Sequence, residues 1–192
     1  MLFRSWGRRF RIAIKGVNPR TRKPFIWHMF HARPGGGATA VGDGWETAGE
    51  GQAAGGIKFG SVEVAETRFP LTFEHHEFRT DSAGDGMYRG GVGAVLRLRV
   101  DIEEPAVANT AGDGIRHAPY GLLGGKDGLP HRYRLRSRGR PMRVVKTKEV
   151  GILVRKGDVF LVESSGGGGY GPPAKRAKAA REIDRINGLV SR

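Results

Sequence analysis

Cysteine is absent from this sequence of 192 residues. Disulfide bonds and thiolate metal sites are therefore excluded, and a reducing compartment is permitted. No apolar run reaches the ~18 residues that a membrane-spanning helix needs. The basic segment 1–10 is not followed by an apolar stretch or a small-residue cleavage site, so we expect no signal peptide and no membrane association. These absences favour a cytoplasmic protein.

Acidic residues are missing from two segments, and this imbalance produces the formal charge of +14. Residues 1–42 contain nine Lys or Arg, residues 131–148 contain eight, and neither segment contains Asp or Glu. The remaining residues hold 16 of the 33 basic side chains and all 19 acidic ones, so the rest of the chain is close to neutral. The basic patches are not interleaved with aromatic residues that could stack on bases, which argues against nucleic-acid binding.

Glycine is abundant, at 32 of 192 residues, against an average near ~7%. It occurs in short runs between segments of alternating polar and apolar residues, a pattern typical of turns in a β-rich fold. Strands are predicted over residues 9–15, 25–30, 62–69, 71–79, 94–102, 106–110, 133–136, 142–146, 150–154 and 158–163. Residues 174–189 place Ala177, Ala180, Ile183 and Ile186 at helical spacing, and Val190 follows directly at the same spacing. The predicted fold class is mainly β (β-rich α+β), with antiparallel strands, glycine-rich loops and one C-terminal amphipathic helix.

Four segments are distinguished, and we expect them to form one domain overall because 192 residues are few for two. Residues 1–33 predict a basic N-terminal hairpin. Residues 34–60 predict a Gly/Ala-rich loop, and a loop of this length usually indicates function, disorder or a partner. Residues 61–173 predict a β domain, in which residues 155–158 predict a hairpin turn. Residues 174–192 predict the C-terminal helix.

Four sequence blocks resemble, in order, motifs of the hydantoinase B/oxoprolinase family. They are VEVAETRFPL at 62–71, EFRTDSAGDGMYRGGVG at 77–93, RHAPYGLLGG at 116–125, and KGDV at 156–159 with SGGGGYGPP at 165–173. Residues 17–45 match more loosely, through GGG at 35–37 and DG at 43–44. Ser61 and Pro172 depart from the pattern, where Asn and Asp are usual. Residues 61–173 are thus identified as a hydantoinase B-like β domain, the C-terminal part of such a protein.

The resemblance implies a role within an enzyme complex. The family includes 5-oxoprolinase and subunits of acetone and acetophenone carboxylases, and its members pair with an ATP-binding hydantoinase A-type subunit. The complex phosphorylates an amide or a ketone-derived enol and then hydrolyses or carboxylates it. The family's metal-binding His and Asp residues lie in the N-terminal half of the hydantoinase B-type protein. We therefore expect no cofactor or metal on this chain, and ATP, Mg and a divalent metal on two partners, the hydantoinase A-type subunit and a hydantoinase B N-terminal-half subunit.

Two loops supply the candidate residues for contact with a substrate or a partner. The first holds Arg116 and His117 in a Gly/Pro-rich segment; the alternative for His117 is a hydrogen bond to backbone. The second holds Gly166, Gly167, Gly168, Gly169 and Tyr170. Consecutive glycine N–H groups can cradle an anion, although the Walker lysine spacing is absent. The alternative is that glycine lets this backbone pass close to another segment, with the Tyr170 ring as an anchor.

Charged residues elsewhere have structural explanations. Arg79, Asp81 and Arg89 frame the glycine-rich segment 81–93 and predict an internal ion-pair and turn-capping network. Arginines recur at every second position from 132 to 140. If one strand extended that far, all of them would lie on one face, either solvated or docked on a partner's acidic surface.

These observations favour a small subunit or split C-terminal domain of an ATP-dependent hydantoinase/oxoprolinase-type amidohydrolase, or of a related carboxylase complex. Its expected role is to scaffold the complex and complete a pocket, and we expect no activity from the chain alone. The alternatives are a polyanion-binding module and a catalytically silent remnant.

Overall fold

A computed structural model of the protein describes residues 6–7, 10–48 and 60–191. The strands in these ranges are β1 (Phe10–Val17), β2 (Pro24–His28), β3 (Leu71–Arg79), β4 (Gly93–Val100), β5 (Ala106–Gly112), β6 (Arg132–Arg136), β7 (Arg143–Val145), β8 (Glu149–Val154) and β9 (Val159–Glu163). The helices are α1 (Val62–Arg68), a 3-10 turn (Pro173–Lys175) and α2 (Lys178–Ile186).

The strands form two sheets, one with the order β2-β1-β5-β8 and one with the order β3-β4-β9-β6-β7. Every strand pair is antiparallel. The mainly β fold class with antiparallel strands is therefore confirmed. The hairpin predicted near the N-terminus is also present, since β1 pairs with β2 from Ala13 opposite His28 to Val17 opposite Pro24.

The core lies between the two sheets and follows from the alternation in the strands. In β4, Leu96 and Leu98 are fully buried, and they belong to the same apolar cluster as Ile12 and Ile14 of β1. Burying each such side chain contributes roughly 1.5–3 kcal/mol. Tyr133 of β6 lies in this core, and its hydroxyl donates to the carbonyl oxygen of Arg11 at 3.0 Å. Burial raises the pKa of the Tyr133 hydroxyl.

The strand predicted at 62–69 is wrong, because this segment is helix α1. Ser61 caps the helix by accepting the N–H of Val64 at 3.2 Å, which satisfies a donor that has no partner inside the helix. Its hydroxyl also donates to Glu63 at 2.6 Å. Only Ala65 is buried, so the alternating valines that suggested a strand do not mark a buried face.

The hairpin predicted at residues 155–158 is also wrong. Gly157 has the expected positive φ, at 86°, but β8 pairs with β5 and β9 pairs with β4 and β6. The turn therefore carries the chain from one sheet to the other. The arginine row is interrupted as well, because β6 ends at Arg136 and only the first three arginines share a strand.

The C-terminal helix is shorter than predicted and is oriented unexpectedly. A 3-10 turn with Pro173 at its first position precedes it, and α2 covers Lys178–Ile186. Its buried residue is Asp184, whereas Ile183 and Ile186 are 57% and 69% exposed. The helix therefore attaches by its charged face.

The loop predicted at 34–60 lies partly outside the described residues, which omit 49–59. Its first part contains no strand between 34 and 48 but is largely buried through residue 38. Main-chain hydrogen bonds to distant loops, such as those from Gly35 to Ser165 and from Ala38 to Gly168 at 2.9 Å, hold this segment in place.

Candidate functional site

Glycine backbone fills the region where the loops meet. The N–H of Gly84 donates to the carbonyl of Gly167, that of Gly167 to Gly91, and that of Gly91 to Gly36, each at 2.8 Å. Gly36 in turn donates to Trp45 at 2.9 Å. This glycine ladder joins segments that are far apart in the sequence, so it fixes the loops as one unit.

The backbone segments of the glycine ladder lie too close together for a side chain to fit between them. A Cβ atom at Gly167 would lie 1.8 Å from the carbonyl oxygen of Gly36, and one at Gly166 would meet another carbonyl oxygen at 2.0 Å. The corresponding distances at Gly168 and Gly169 are 2.0 and 2.1 Å. The N–H groups of Gly166, Gly167 and Gly169 all donate to carbonyl oxygens within the protein. The run therefore makes a close backbone approach, and three of its four amides are engaged internally.

Tyr170 anchors this loop through its main chain. Its N–H donates to the carbonyl of Tyr88 at 2.8 Å, and the N–H of Tyr88 donates back at 3.0 Å. Leu122 forms a parallel bridge with Tyr170 and donates its N–H to Gly169 at 2.9 Å. The loop that carries the predicted Arg116 and His117 is thus tied to the glycine run.

A cleft of about 800 Å³ opens beside the glycine ladder. Loop 113–120 forms much of its wall, together with Trp6, Asp127 and Ser165. Arg116 and His117 are both exposed, and both line this cleft. Neither side chain forms a hydrogen bond or an ion pair with any residue in the described ranges. The structure therefore brings the two predicted contact residues together at the surface of one cleft.

Buried residues behind the cleft hold its loop in place. The main-chain N–H of Ser165 donates to Nδ1 of His131 at 2.9 Å, which assigns the ring proton to Nε2. The N–H of His131 donates to the carbonyl of Gly114 at 3.2 Å, and Gly114 has a φ of 81° that favours glycine. Asp127, which also lines the cleft, accepts the N–H of Gly121 at 2.9 Å. An exposed guanidinium and imidazole on such a supported wall can bind an anionic or polar group.

The residues predicted as a turn network bond to different partners rather than to each other. Arg79 is buried, donates to the carbonyl of Ser164 at 2.9 Å and lies 3.7 Å from Glu163. Burial lowers the pKa of Arg79, although the Glu163 carboxylate opposes this effect. Asp81 has a φ of 59° and accepts the N–H of Ser191 at 2.9 Å. Each of these residues ties the glycine-rich turn to a distant segment.

Arg89 belongs to a buried cluster that sequence reasoning missed. It lies 2.6 Å from Glu46 and 3.1 Å from Asp184. Arg176 bonds to the same Asp184 at 2.6 Å and to Asp43 at 2.7 Å. Burial alone would lower the pKa of Arg89, but the hydrogen bond and charge of Glu46 raise it overall. The resemblance singled out Asp43 only as part of the Asp-Gly pair at 43–44, and nothing in the sequence pairs it with Arg176.

Two general features bear on the kind of site. Among the described residues, no group of three or more His, Cys, Asp or Glu side chains could hold a metal ion. In the same part of the chain, no helix is long and apolar enough to cross a membrane.

The fold and the cleft together define a β protein whose loops are locked by glycine backbone around an exposed Arg–His pair. The model of the family described as Hydantoinase B/oxoprolinase matches residues 4–173. The chain therefore belongs to this family, and the resemblance seen in its motifs is confirmed.

Curated relatives are much longer than this chain. The beta subunit of the caprolactamase of Pseudomonas jessenii is 31% identical over 194 residues, which cover 97% of this chain and 33% of that protein. The 5-oxoprolinase of Saccharomyces cerevisiae is 32% identical over 117 residues, covering 57% of this chain and 8% of the relative. A putative D-/L-hydantoinase component from a Pseudomonas species is 25% identical over 132 residues, covering 68% of this chain and 22% of that protein. The chain thus spans about a third or less of these relatives.

Two solved structures also match most of this chain and about a third or less of their own chains. The crystal structure of ATP-dependent caprolactamase from Pseudomonas jessenii matches with a TM-score of 0.80 and 29% identity, covering 93% of this chain and 32% of that chain. A nucleotide-free acetone carboxylase matches with a TM-score of 0.77 and 22% identity, covering 95% of this chain and 28% of that one. The second likeness is one of fold alone.

Proposed function

We propose that this chain is a small subunit or C-terminal domain of an ATP-dependent hydantoinase/oxoprolinase-type amidohydrolase, or of a related ketone carboxylase complex. The observation that carries the proposal is the family match over residues 4–173. In addition, the chain aligns with 33% of a relative that is named as a caprolactamase subunit. The partners are a hydantoinase A-type ATP-binding subunit and the N-terminal half of a hydantoinase B-type protein.

The role of the chain in this complex is to support and complete a pocket. The glycine ladder contains no side chains that could reorganise, so it presents loop 113–120 as a fixed wall. On this wall Arg116 binds an anionic group by charge-assisted hydrogen bonds, and His117 adds a polar contact. Such a preorganised wall restricts where a ligand can sit, which is how positioning contributes to catalysis.

The chemistry of phosphoryl transfer belongs to the partners in this proposal. The proposal assigns ATP with Mg to the hydantoinase A-type partner. The divalent metal implied by the family does not fit the described residues of this chain, because these provide no cluster of metal-binding side chains. No step is therefore assigned to a metal on this chain.

Affinity purification of the tagged chain from its native source tests the proposal. Recovery of a hydantoinase A-type protein together with a hydantoinase B N-terminal half, identified by mass spectrometry, is the expected result. Recovery of the chain as a lone monomer from cells that express both other proteins would overturn it.

A further inference from the structure

A second cleft lies between two connecting turns. Loop 137–142 and turn 155–158 form its rim, and the buried side chains of Leu135 and Ile152 lie beneath it. Its volume is about 750 Å³. The cations on its rim are Arg138, Arg140, Arg143, Arg155 and Lys156.

Most of these cations lack a counter-charge. Arg143 lies 2.9 Å from Glu149, whereas the other four form no ion pair with any residue in the described ranges. The acids at the cleft are already used. Asp158 is buried and accepts the main-chain N–H groups of Arg138 and Arg155 at 3.1 and 3.0 Å, and Glu103 lies 3.5 Å from Arg22. Like charges gathered on one rim repel each other, and a ligand bearing carboxylates relieves that repulsion.

One exposed aliphatic side chain, Leu153, lines the same cleft, and other exposed aliphatic side chains lie on the strands next to it. Met142, Val144, Val150 and Leu153 are 42%, 70%, 80% and 48% exposed. They lie on or beside β7 and β8, the last strands of their respective sheets. Cations on edge strands protect against aggregation, but protection alone does not account for apolar side chains on those same edges. Apolar patches bordered by charges are typical of protein interfaces.

The carboxylate of Glu149 in β8 contacts the other edge strand, β7. Glu149 lies 2.9 Å from Arg143 of β7 and accepts the N–H of Lys146 at 3.0 Å. The hydrogen bond from Arg143 lowers the pKa of Glu149, and the Lys146 amide adds to the effect. An outer strand edge offers backbone groups to which an extended segment can add.

We infer that this basic cleft binds an acidic, extended segment of a partner protein, with carboxylates on the arginine rim and aliphatic side chains on Leu153. Nucleic acid fits less well, because no aromatic ring is among the described residues that line the cleft, and single strands bind by stacking. The identity of the partner as a subunit rests on the proposed function, whereas binding of such a segment does not.

Fluorescence anisotropy with the full chain tests this inference using three labelled probes. The first is a short peptide that alternates Glu and Val, the second replaces each Glu with Gln, and the third is a single-stranded oligothymidine of equal charge. We expect the Glu–Val peptide to bind, weakening as salt rises, and the Gln–Val peptide to bind at least about tenfold more weakly. Absent binding, equal binding of both peptides, or tighter binding of the oligothymidine would overturn the inference.

Matched variants locate the binding site. Arg138→Glu with Arg155→Glu reverses two charges of the rim and should weaken binding of the Glu–Val peptide at least about tenfold. The double variant should still fold, because the contacts of these two residues with Asp158 use only their main-chain N–H groups. Lys175→Glu with Lys178→Glu reverses two exposed charges elsewhere and should leave binding unchanged. Circular dichroism verifies that both variants fold, and an equal loss in the two would count against the cleft. Peptide binding without recovery of partner subunits would refute the proposed function and leave this inference standing. Recovery of partner subunits without peptide binding would refute this inference and leave the proposed function standing.

Discussion

Asp184 joins the C-terminal helix to the body of the protein by accepting a hydrogen bond from Arg89, at 3.1 Å and across 95 residues of sequence. Both residues are 4% exposed. Arg176 donates to the same carboxylate at 2.6 Å. The helix is therefore held by a buried ion cluster, while its isoleucines face outward.

Replacing Asp184 with Ala should destabilise the protein by about 3–5 kcal/mol, the usual cost of removing one partner from a buried ion pair. The substitution leaves Arg89 and Arg176 buried with less compensating charge. Urea unfolding followed by circular dichroism measures the change. Glu182→Gln on the same helix breaks only the exposed pair with Arg185 and should leave stability unchanged. A similar effect of both substitutions would refute the role of the buried cluster.

Replacing Gly167 with Ala should prevent folding or destabilise the protein by more than about 4 kcal/mol. The new Cβ atom would lie 1.8 Å from the carbonyl oxygen of Gly36, and neither backbone can yield without breaking the glycine ladder. Gly42→Ala is the matched control, because nothing lies within 4 Å of a Cβ atom there. Comparison of soluble yield and unfolding midpoints provides the test. A Gly167→Ala protein as stable as the control would show that the ladder is not close-packed.

Asp43 should make stability depend on acid pH. Burial alone would raise its pKa, but hydrogen bonds from Arg176 and from the main chain of Arg89 hold it below the usual 3.8. A carboxyl whose pKa is lowered on folding stabilises the protein above its unfolded pKa, and that contribution is lost as the pH falls through the folded pKa. The difference in unfolding free energy between wild type and Asp43→Asn should be constant above about pH 5 and shrink below it. A difference independent of pH would contradict the assignment.

The alternation of residues predicted much of this fold, because strand burial is a local pattern. Leu96 and Leu98 alternate with arginines, and β4 appears where the pattern indicates it. Helix α1 escaped detection because the cap at Ser61 outweighs the strand-like alternation of Val62 and Val64. The turn at Gly157 has the predicted backbone conformation, but the sheet that each flanking strand joins is a long-range property.

The site could be predicted only in part for the same reason. The motif resemblance directs attention to Arg116 and His117, and both line one cleft. The partners of Gly167 and Asp184 lie tens of residues away in sequence, and no local spacing connects them. Asp184 sits in a helix whose isoleucines suggested an inward apolar face, so only the three-dimensional structure shows that the charged face is buried.

Within the proposed complex, Arg116→Ala should raise KM for the substrate about tenfold with a smaller change in kcat, because a contact made equally in the ground and transition states affects binding. Steady-state kinetics of the assembled enzyme provide the measurement. Lys175→Ala removes an exposed cation elsewhere and should leave both constants unchanged. Unaltered KM in Arg116→Ala would remove this residue from the pocket.

We propose above that this chain completes an ATP-dependent enzyme. The test measures substrate-dependent ADP release by a hydantoinase A-type subunit and a hydantoinase B N-terminal half from the same source, with and without this chain. The substrates are caprolactam, hydantoin and 5-oxoproline for hydrolysis, and acetone with bicarbonate for carboxylation. We expect turnover of at least one substrate only when the chain is present. Equal turnover in its absence, or none with all three components assembled, would contradict the proposal.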